Sequence, residues 1–472
     1  MRERGNFYHD TYEAYFFMNG EKNLIKLHLD FMDFRLLMSN YGLNPTETIY
    51  KYVAESLQIE AFKEGLKTEV HRFAFYNDAL FTLYFYNDGN QIYRITSDSV
   101  NLVDNGTDGV LFLKDAVTEP FLVHKPEDDL SLFDDYIISK MHFDKEILNE
   151  AEYKIVLSLW FYSLFFGSIM RTKPILALIG PKKSGKTSAL AKIGVLLMGE
   201  NFEVTPLSSD EKDFDAAITN QYFVAIDNAD SAIKWFNNKL AIAATGGSIK
   251  KRELHTTNKL VEFPIKSYLA ITSNSPKFRR DDVAERLLIL KLERINKVIS
   301  ENKLRENILK NRENILSEII YHHLPEIIKA LKENPVSFDV GSFRMADFAD
   351  FSLRVARYAN IESTVKKILS KLSKQQSHFT LEYDTTFELL LEWLKKNHNR
   401  EVRSVELHHE LSDLASEKQI DFFYKDKCRA FAQHLRNIIS NLSEFIKVEE
   451  RMASGRKRLY RFAQKDDGEN NV

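Results

Sequence analysis

The sequence predicts an α/β fold with a largely parallel sheet and flanking helices, between an N-terminal α+β module and a C-terminal helical module that ends in a hairpin. Two observations predict the central part. Helical and strand patterns alternate between residues 136 and 300, as they do where helices connect parallel strands. A glycine-containing loop at 180–187 follows the apolar strand pattern 174–179 and begins a helical pattern, an arrangement typical of phosphate sites at helix N-termini.

Composition narrows the class of protein. The chain has 472 residues, 44% hydrophobic and 28% charged, which excludes collagen-like and wholly disordered chains. The single cysteine, Cys428, excludes an intramolecular disulfide and a cysteine-based zinc cluster, so we expect a cytoplasmic protein. With 65 basic and 68 acidic residues the net charge is −3, and a nucleic-acid partner therefore needs a local basic patch. The apolar stretch 155–170 is shorter than the ~20 residues of a membrane span, so we expect a buried helix and no membrane partner.

Residues 1–123 predict the α+β module. Helical spacing between Phe31 and Leu57 precedes short aromatic and β-branched runs. The turn sequences 87–90 and 105–109 are typical of hairpins, and the polar stretch 124–135 predicts a linker. The predicted strand runs are 71–77, 80–87, 92–98 and 109–115.

Five further segments follow in chain order. Residues 136–300 predict the α/β core, and 301–372 are helical in spacing. The polar stretch 371–380 predicts a second linker, and residues 383–465 predict three helices followed by a hairpin. Residues 466–472 are too polar to pack and predict a disordered tail.

The loop supplies a cradle for phosphates. Its backbone amides and those of the helix N-terminus point at a bound anion, Lys186 reaches the β and γ phosphates, and the Thr187 hydroxyl binds Mg²⁺. This spacing predicts ATP and Mg²⁺ as cofactors. The predicted nucleotide-binding residues are Gly180, Pro181, Lys182, Lys183, Ser184, Gly185, Lys186, Thr187 and Ser188.

A second metal anchor follows the apolar run 222–226. Asp227 ends that run, and we expect it to hold Mg²⁺ together with Thr187. The next residue is Asn228, where many ATPases of this type carry a glutamate that activates water. Asp230 is an alternative, so the identity of the general base stays open.

A third apolar run, 268–271, ends in Thr-Ser-Asn. We expect Asn274 to orient the attacking water at the same sheet edge. Three arginines follow closely, and a guanidinium there can stabilise the transferring phosphoryl group, in cis or from a neighbouring subunit. They are Arg279, Arg280 and Arg286.

The order of these motifs resembles superfamily 3 helicases and the related helicase domains of phage and mobile-element replication proteins. The resemblance rests on the loop, on Asp227-Asn228, on the run 244–252 and on Thr-Ser-Asn 272–274 followed by Asp281 to Arg286. The region after Val70 and the segment 344–349 also look like self-loading, MCM-like helicases of bacterial mobile elements. The similarity is specific across 174–290 and looser over 70–465.

The resemblance implies an AAA+ P-loop core, a C-terminal winged helix and a homohexameric ring that hydrolyses ATP at subunit interfaces and moves along DNA. Asn274 would be the sensor, one of the three arginines would act in trans, and no primase activity is expected. Residues 246–263 would form a hairpin in the ring channel, with three residues near its tip on DNA phosphates. These are His255, Asn258 and Lys259. Residues 1–123 would dock DNA or a replication or defence partner.

The C-terminal region predicts DNA contacts independently of any family. Its third predicted helix, 426–440, carries several cations at positions suited to a recognition helix, and further cations lie on the hairpin after it. The candidates are Lys427, Arg429, Arg436, Arg451, Arg456, Lys457 and Arg458.

Three functions are therefore open. The first is an ATP-dependent DNA helicase or translocase that replicates a mobile element or phage. The second is an ATPase switch that binds DNA without unwinding it, in antiphage defence or partner recruitment, and Asn228 slightly favours it. The third is a small-molecule kinase, which leaves the basic hairpin and the Thr-Ser-Asn strand unexplained.

Overall fold

The computed structural model describes residues 1–88, 90–114, 117–127, 131–230, 233–252, 260–276, 278, 280–295, 300–334, 343–382, 384–453 and 457–464. The chain forms two compact units. The first contains residues 1–277 and 288–369, and the second contains residues 278–287 and 370–472.

The first unit begins with an antiparallel sheet covered by two helices. Its elements are β1 (Gly5–His9), β2 (Ala14–Met18), β3 (Asn23–Lys26), α1 (Met32–Ser39), α2 (Thr48–Glu64) and β4 (Leu66–Lys67). The strand order is β3-β2-β1-β4, and Phe34, Leu37 and Tyr50 of the helices pack into its core. The sequence pattern predicts the helices but not β1 to β3. Four of the five residues of β2 are buried, so this strand lacks the alternation by which an exposed strand is recognised.

A second four-stranded sheet and a separate strand pair follow. Their elements are β5 (Val70–His71), β6 (Ala74–Asn77), β7 (Thr82–Tyr86), β8 (Gln91–Ile95), β9 (Val100–Asp104) and β10 (Leu111–Phe112). The predicted hairpin at 87–90 is confirmed, because β7 and β8 pair antiparallel. The predicted hairpin at 105–109 is wrong, because β9 pairs with β8 and β10 pairs with β5. The side chain of Asn105 instead binds the backbone N–H and carbonyl of Phe112, both at 2.9 Å.

The central sheet has five strands in the order β12-β13-β16-β11-β17. The pairs β12–β13, β13–β16 and β16–β11 are parallel, which confirms the predicted α/β fold with a parallel sheet. The elements of this part are α3 (Leu132–Tyr136), α4 (Glu150–Ser163), β11 (Ile175–Ile179), α5 (Lys186–Met198), β12 (Thr205–Pro206), α6 (Glu211–Asn220), β13 (Phe223–Asp227), α7 (Lys234–Ala244), β14 (Ser248–Arg252), β15 (Leu260–Pro264), β16 (Tyr268–Ser273), α8 (Asp281–Ala284) and β17 (Leu287–Lys291).

The helices after the sheet are α9 (Glu301–Glu318), α10 (Leu324–Glu333) and α11 (Ala346–Tyr358). The predicted linker 124–135 is attached to α9 rather than free. The backbone N–H of His124 donates to Ser317, and the N–H of Leu132 donates at 2.6 Å to the buried carboxylate of Glu318. The apolar stretch 155–170 begins within α4, which is buried along most of its length. Across the part of the chain that the structure describes, no helix is long and apolar enough to cross a membrane.

Besides residues 278–287, which include α8, the second unit contains the chain from Ser370 onward, and Ser370 lies inside α12 (Glu362–Leu381). It continues with α13 (Thr385–Leu394), β18 (Glu401–Arg403), α14 (Ser404–Glu417), α15 (Cys428–Phe445), β19 (Ile446–Ala453) and β20 (Lys457–Gln464), and its sheet order is β18-β20-β19. These include the three predicted helices and the predicted hairpin; β18 was not predicted. Its core includes Leu390, Leu411, Leu435 and Phe462.

The predicted linker at 371–380 is wrong, because these residues belong to α12. Gln375 and Gln376 are buried despite their polarity, and the Gln376 side chain donates at 2.7 Å to the carbonyl of Leu287. A polar sequence is compatible with a buried helix face when its amides find such partners. The predicted tail 466–472 lies outside the described residues.

Packing within the first unit can be tested at Gly194 in α5. A Cβ at this position would overlap the ring of Phe202, which is 5% exposed. We expect Gly194→Val to lower the free energy of unfolding of this unit by about 1–3 kcal/mol, the usual cost of overpacking. Chemical denaturation measures the change. Gly20→Val is the control, because a Cβ at Gly20 meets nothing within 4 Å, and equal loss in both variants would contradict the packing argument.

Candidate functional site

Three neighbouring strands of the central sheet end at one edge. β11 leads into the glycine loop, β13 ends at Asp227, and β16 ends at Ser273 with Asn274 next. Parallel pairing of β13 and β11 with β16 places these carboxyl ends side by side. In open α/β sheets, ligands bind outside the carboxyl ends of the strands. The predicted site residues from three separate segments therefore meet at this edge.

The loop depends on glycine at two positions. Gly180 lies so close to the carbonyl of Leu292 that a Cβ there would overlap it, and its N–H donates to the Ser273 carbonyl at 3.1 Å. Gly185 has a φ of 79° and is the N-cap of α5. The first amides of α5 have no partner within the helix, as in every α-helix, and they begin at Lys186 directly after the loop. This geometry suits an anion at the helix N-terminus.

Lys186 is buried at the centre of the loop. Its Nζ donates to the carbonyl oxygens of Gly180 at 2.8 Å and Pro181 at 2.9 Å, to the Ser184 hydroxyl at 3.1 Å and to the Asn274 side-chain oxygen at 3.1 Å. Burial lowers the pKa of Lys186. The ammonium thus joins the loop to the end of β16.

The remaining predicted cradle residues lie on the outside of the loop or along α5. Pro181, Lys182 and Lys183 are exposed, and Ser188 is half-buried in α5. Lys183 has a φ of 66°, and its carbonyl accepts a hydrogen bond from the N–H of Ile295 at 2.9 Å.

Thr187 and Asp227 are in direct contact. The Thr187 hydroxyl donates to the Asp227 carboxylate at 2.7 Å, and the hydroxyl of Thr272 donates to the same oxygen. A hydroxyl and a carboxylate are hard oxygen donors of the kind that Mg²⁺ prefers. The two residues predicted to hold the metal therefore lie together and have suitable chemistry.

Asp230 is occupied by hydrogen bonds from the end of β16. Its carboxylate accepts from the Ser273 hydroxyl and from the backbone N–H groups of Asn274 and Ser275, both at 3.0 Å. Burial opposes ionisation, but these hydrogen bonds are stronger in effect and lower the pKa of Asp230. A base for neutral pH needs a pKa near the operating pH, so Asp230 is poorly suited to that role.

Asn228 and Asp230 together orient the predicted sensor. The Asn274 side-chain amide donates to Asn228 Oδ1 at 3.0 Å and to Asp230 Oδ2 at 3.3 Å. These two hydrogen bonds orient Asn274 Oδ1 toward Lys186, from which it accepts a hydrogen bond. Asn228 has a φ of 53°, and its N–H donates to the Thr272 hydroxyl at 3.0 Å. The sequence suggests only that Asn228 occupies the position of the usual base and that Asp230 is an alternative base. The structure gives them a positioning contact with Asn274.

The predicted hairpin is present as an antiparallel pair. β14 and β15 pair from Ser248↔Pro264 to Arg252↔Leu260, between α7 and β16. The predicted tip residues His255, Asn258 and Lys259 lie outside the described residues.

Two of the three predicted arginines are described, and both belong to the second unit. Arg280 donates through Nε and Nη2 to the carboxylate of Asp282, both at 2.7 Å. Arg286 lies 3.7 Å from the same carboxylate, and Arg279 lies outside the described residues.

The C-terminal cations fall into two groups. Lys427, Arg429 and Arg436 are exposed, the latter two on α15 and Lys427 immediately before it. On the hairpin, Arg451 binds Glu401 at 2.6 Å and Arg458 binds Glu450 at 2.5 Å, so part of the predicted positive charge is neutralised within the unit. Arg456 and the side chain of Lys457 lie outside the described part of the chain.

The fold and the site together define an α/β protein with a glycine-rich loop between a central strand and the following helix. Residues 150–370 match a family described as the actinomycete integrative conjugative element replication protein. This range contains the loop, Asp227, the hairpin and Asn274. No curated protein matches the chain.

Two solved structures show low similarity over nearly the whole chain. A structure described as "SCCmec type IV Cch - active helicase" is 11% identical, with a TM-score of 0.45, and the match covers 96% of this chain and 90% of that one. The apo C-terminal region of NrS-1 is 12% identical, with a TM-score of 0.35 and 98% of both chains covered.

The positioning contact of Asp230 can be tested by Asp230→Asn. The amide keeps the size of the side chain but loses the charge that holds the end of β16. We expect kcat for ATP hydrolysis to fall at least tenfold, about 1.4 kcal/mol, while KM changes less than about twofold, because Asn274 loses its orientation and the loop is untouched.

Steady-state ATPase assays measure both constants, with Glu203→Gln as the control, because Glu203 is exposed outside the site. If KM rises while kcat is unchanged, Asp230 serves nucleotide binding instead.

Proposed function

We propose that this protein is an ATP-dependent DNA helicase of a mobile-element or phage replication system. In this proposal it has an AAA+ core and works in the cytoplasm as a hexameric ring with ATP at subunit interfaces. The family match over residues 150–370 supports the replication setting. The residues at the carboxyl edge of the sheet support the use of ATP.

One observation carries the proposal. Lys186, Thr187, Asp227 and Asn274 come from three different segments, yet two direct hydrogen bonds, of 3.1 Å and 2.7 Å, join them in pairs at one sheet edge. Asn274 contacts Lys186, Thr187 contacts Asp227, and Thr187 directly follows Lys186 in the chain. A phosphate cradle, a metal anchor and a polar sensor are the parts that hydrolysis of a γ phosphate requires.

Each residue has a distinct role in this proposal. The backbone N–H groups of residues 182–188 and the Lys186 ammonium bind the β and γ phosphates, where positive charge stabilises the transferring group. Thr187 and Asp227 would hold Mg²⁺, which would supply positive charge to neutralise the phosphates. Asn274 holds the attacking water in line.

Water activation would depend on orientation rather than on a free carboxylate. The carboxylate of Asp227 accepts from two threonine hydroxyls, and that of Asp230 accepts from the end of β16. Asn228 carries an amide and holds Asn274. We therefore expect slow turnover, since positioning without general-base catalysis forfeits a factor of roughly 10²–10⁴.

The hairpin offers a route from hydrolysis to movement. β15 leads through residues 265–267 into β16, and β16 ends beside Asn274. A shift of Asn274 between nucleotide states would be transmitted along this strand to the hairpin and its tip, where His255, Asn258 and Lys259 would contact DNA phosphates. One of Arg279, Arg280 and Arg286 would complete the site of a neighbouring subunit.

The second unit supports a DNA-binding role in this proposal. The order α13, β18, α14, α15, β19, β20 is that of a winged helix, with α15 as its recognition helix and Lys427, Arg429 and Arg436 exposed there. Residues 1–123 would dock DNA or a replication or defence partner.

A second candidate is an ATPase switch that assembles on DNA without unwinding it. Asn228 favours it, because the residue after Asp227 supplies an amide bound to Asn274 rather than an activating carboxylate. Binding of ATP alone would then control the DNA-bound state.

The first test compares wild type with Lys186→Ala in strand displacement from a forked DNA duplex. We expect the variant to lose ATP hydrolysis by at least a hundredfold, about 2.7 kcal/mol, and to lose displacement with it, because the central cation of the cradle is gone. Lys212→Ala, an exposed lysine on α6, is the control. Hydrolysis without displacement in the wild type would favour the switch, and hydrolysis retained in Lys186→Ala would refute the site.

The second test addresses the hairpin tip. We expect Lys259→Ala to keep its DNA-independent ATPase activity while losing most of the stimulation by single-stranded DNA, because a phosphate contact in the channel is removed. Lys250→Ala is the control, since Lys250 lies on the hairpin stem 3.7 Å from Glu262. Equal DNA stimulation in Lys259→Ala and wild type would contradict the channel role.

A further inference from the structure

A cavity of about 430 Å³ lies at the amino edge of the central sheet, opposite to the loop. Its lining includes Lys173, Tyr222 and Ser267, which precede or border the first residues of β11, β13 and β16. The amino ends of parallel strands share one edge, so these residues lie on the side of the sheet away from the phosphate cradle. Further walls come from residues within 10–15 and 70–75 of the N-terminal region, from residues within 167–171, and from residues 262–265 of the hairpin stem.

The acidic residues around this cavity already have partners. Glu13 binds Lys26 at 2.8 Å, and Glu69 binds Lys266 at 2.7 Å. Asp10 accepts from backbone N–H groups of its own turn and from the Tyr15 hydroxyl, and Glu262 accepts from Ser248. Each of these carboxylates is therefore already engaged within the protein: Glu13, Glu69 and Glu262 by cations, and Asp10 by hydrogen bonds alone.

Three cations lining the same cavity have no carboxylate partner among the described residues: Arg72, Arg171 and Lys173. Arg72 donates to the backbone carbonyl of Asn220. Over the whole lining, five lysine and arginine side chains face four carboxylates, so the cavity carries a small excess of positive charge.

Lys173 is the deepest of the three. It is 8% exposed, its Nζ donates to the carbonyl of Lys266 at 2.8 Å, and the ammonium lies 4.7 Å from the ring centroid of Tyr268. Burial, with a smaller effect of the nearby Lys266 charge, lowers the pKa of Lys173 to about 8. A buried ammonium with one hydrogen bond and no counter-ion is unfavourable, and a bound anion would compensate it.

We propose that this cavity binds one nucleotide of a single nucleic-acid strand, with its phosphate on Arg72, Arg171 and Lys173. Aromatic side chains are available for the base: Tyr12 is 42% exposed and Phe263 is half-buried, and both line the cavity. Cations for the phosphate and aromatic faces for the base are the combination that binds single strands without sequence preference. The proposal rests on the proposed function in one respect, namely that DNA is the partner.

The position of the cavity favours a strand over a free nucleotide. Residues 262–265 form one wall and belong to the hairpin stem, whose tip is the proposed DNA contact. A strand held at the hairpin would therefore meet a second contact at its base. A free nucleoside monophosphate has the same chemistry, and the experiment separates the two.

The test is binding of a fluorescein-labelled 20-nucleotide oligo(dT) to the full chain, followed by anisotropy at several salt concentrations. Lys173→Met keeps the aliphatic stem and removes the buried charge, so it is expected to fold. The double variant Arg72→Gln and Arg171→Gln removes the other two cations. Lys63→Met is the matched control, because Lys63 is an exposed cation of α2 away from the cavity.

We expect oligo(dT) affinity to fall about tenfold in Lys173→Met and further in the double variant, with Lys63→Met unchanged. The slope of log K against log salt should decrease by about 0.7 for each phosphate that the variant no longer neutralises. Thermal unfolding of each variant verifies that it is folded. Unchanged affinity and slope in both cavity variants overturn the proposal.

A second arm uses dTMP as the probe in calorimetric titration. If dTMP binds the wild type but not Lys173→Met, while oligo(dT) affinity is equal in both, the site serves a free nucleotide and the strand proposal is overturned. ATP hydrolysis by wild type and Lys186→Ala is measured in parallel. If only the cavity variants lose oligo(dT) binding, the proposed strand site in the cavity is supported, whatever the ATPase assay shows. If Lys186→Ala still hydrolyses ATP, the proposed ATP site is refuted, but the strand site is not affected.

Discussion

The register of β13 on β16 is the constraint on which the candidate site depends. Ile226 lies opposite Ile271, so Asp227 and Thr272 follow side by side and the Thr272 hydroxyl reaches the Asp227 carboxylate. The same carboxylate accepts from Thr187 at the start of α5. A slip by one residue would turn Thr272 to the other face of the sheet and separate these groups. The register thus holds the metal anchor, the helix and the sensor strand together.

The buried lysines at the two edges of the central sheet differ in how many hydrogen-bond acceptors surround them. At the carboxyl edge, Lys186 has four oxygen acceptors within 3.1 Å, and two carboxylates lie on the neighbouring segments. At the amino edge, Lys173 has one carbonyl acceptor and an aromatic ring. Burial lowers the pKa of both. The first ammonium is hydrogen-bonded to several groups of its loop, whereas the second has one hydrogen-bond acceptor and belongs to a residue that lines a cavity, which is why we assign it a ligand.

The residues of the candidate site could be predicted from the sequence, whereas the contacts that hold them in place could not. The loop, Asp227 and Asn274 could be found because each follows an apolar run that reads as a buried strand, and parallel strands bring their ends together. The positioning contacts of Asn228 and Asp230 were not predictable, because a carboxylate in a loop gives no indication of which donors will face it. Strand β2 was missed for a different reason: it is buried on both faces, and such a strand has no period-two alternation.

By itself, the sequence determined the parallel α/β core, the position of the glycine loop and the identity of the groups at the carboxyl edge, because local pattern and spacing encode these. Only the tertiary structure decided which polar groups are already paired. It matched Arg451 and Arg458 with acids, put 371–380 into a helix with buried glutamines, and left Lys173 without a carboxylate partner among the described residues. Hydrogen bonding and charge compensation depend on contacts between residues far apart in the chain, and no local pattern specifies those contacts.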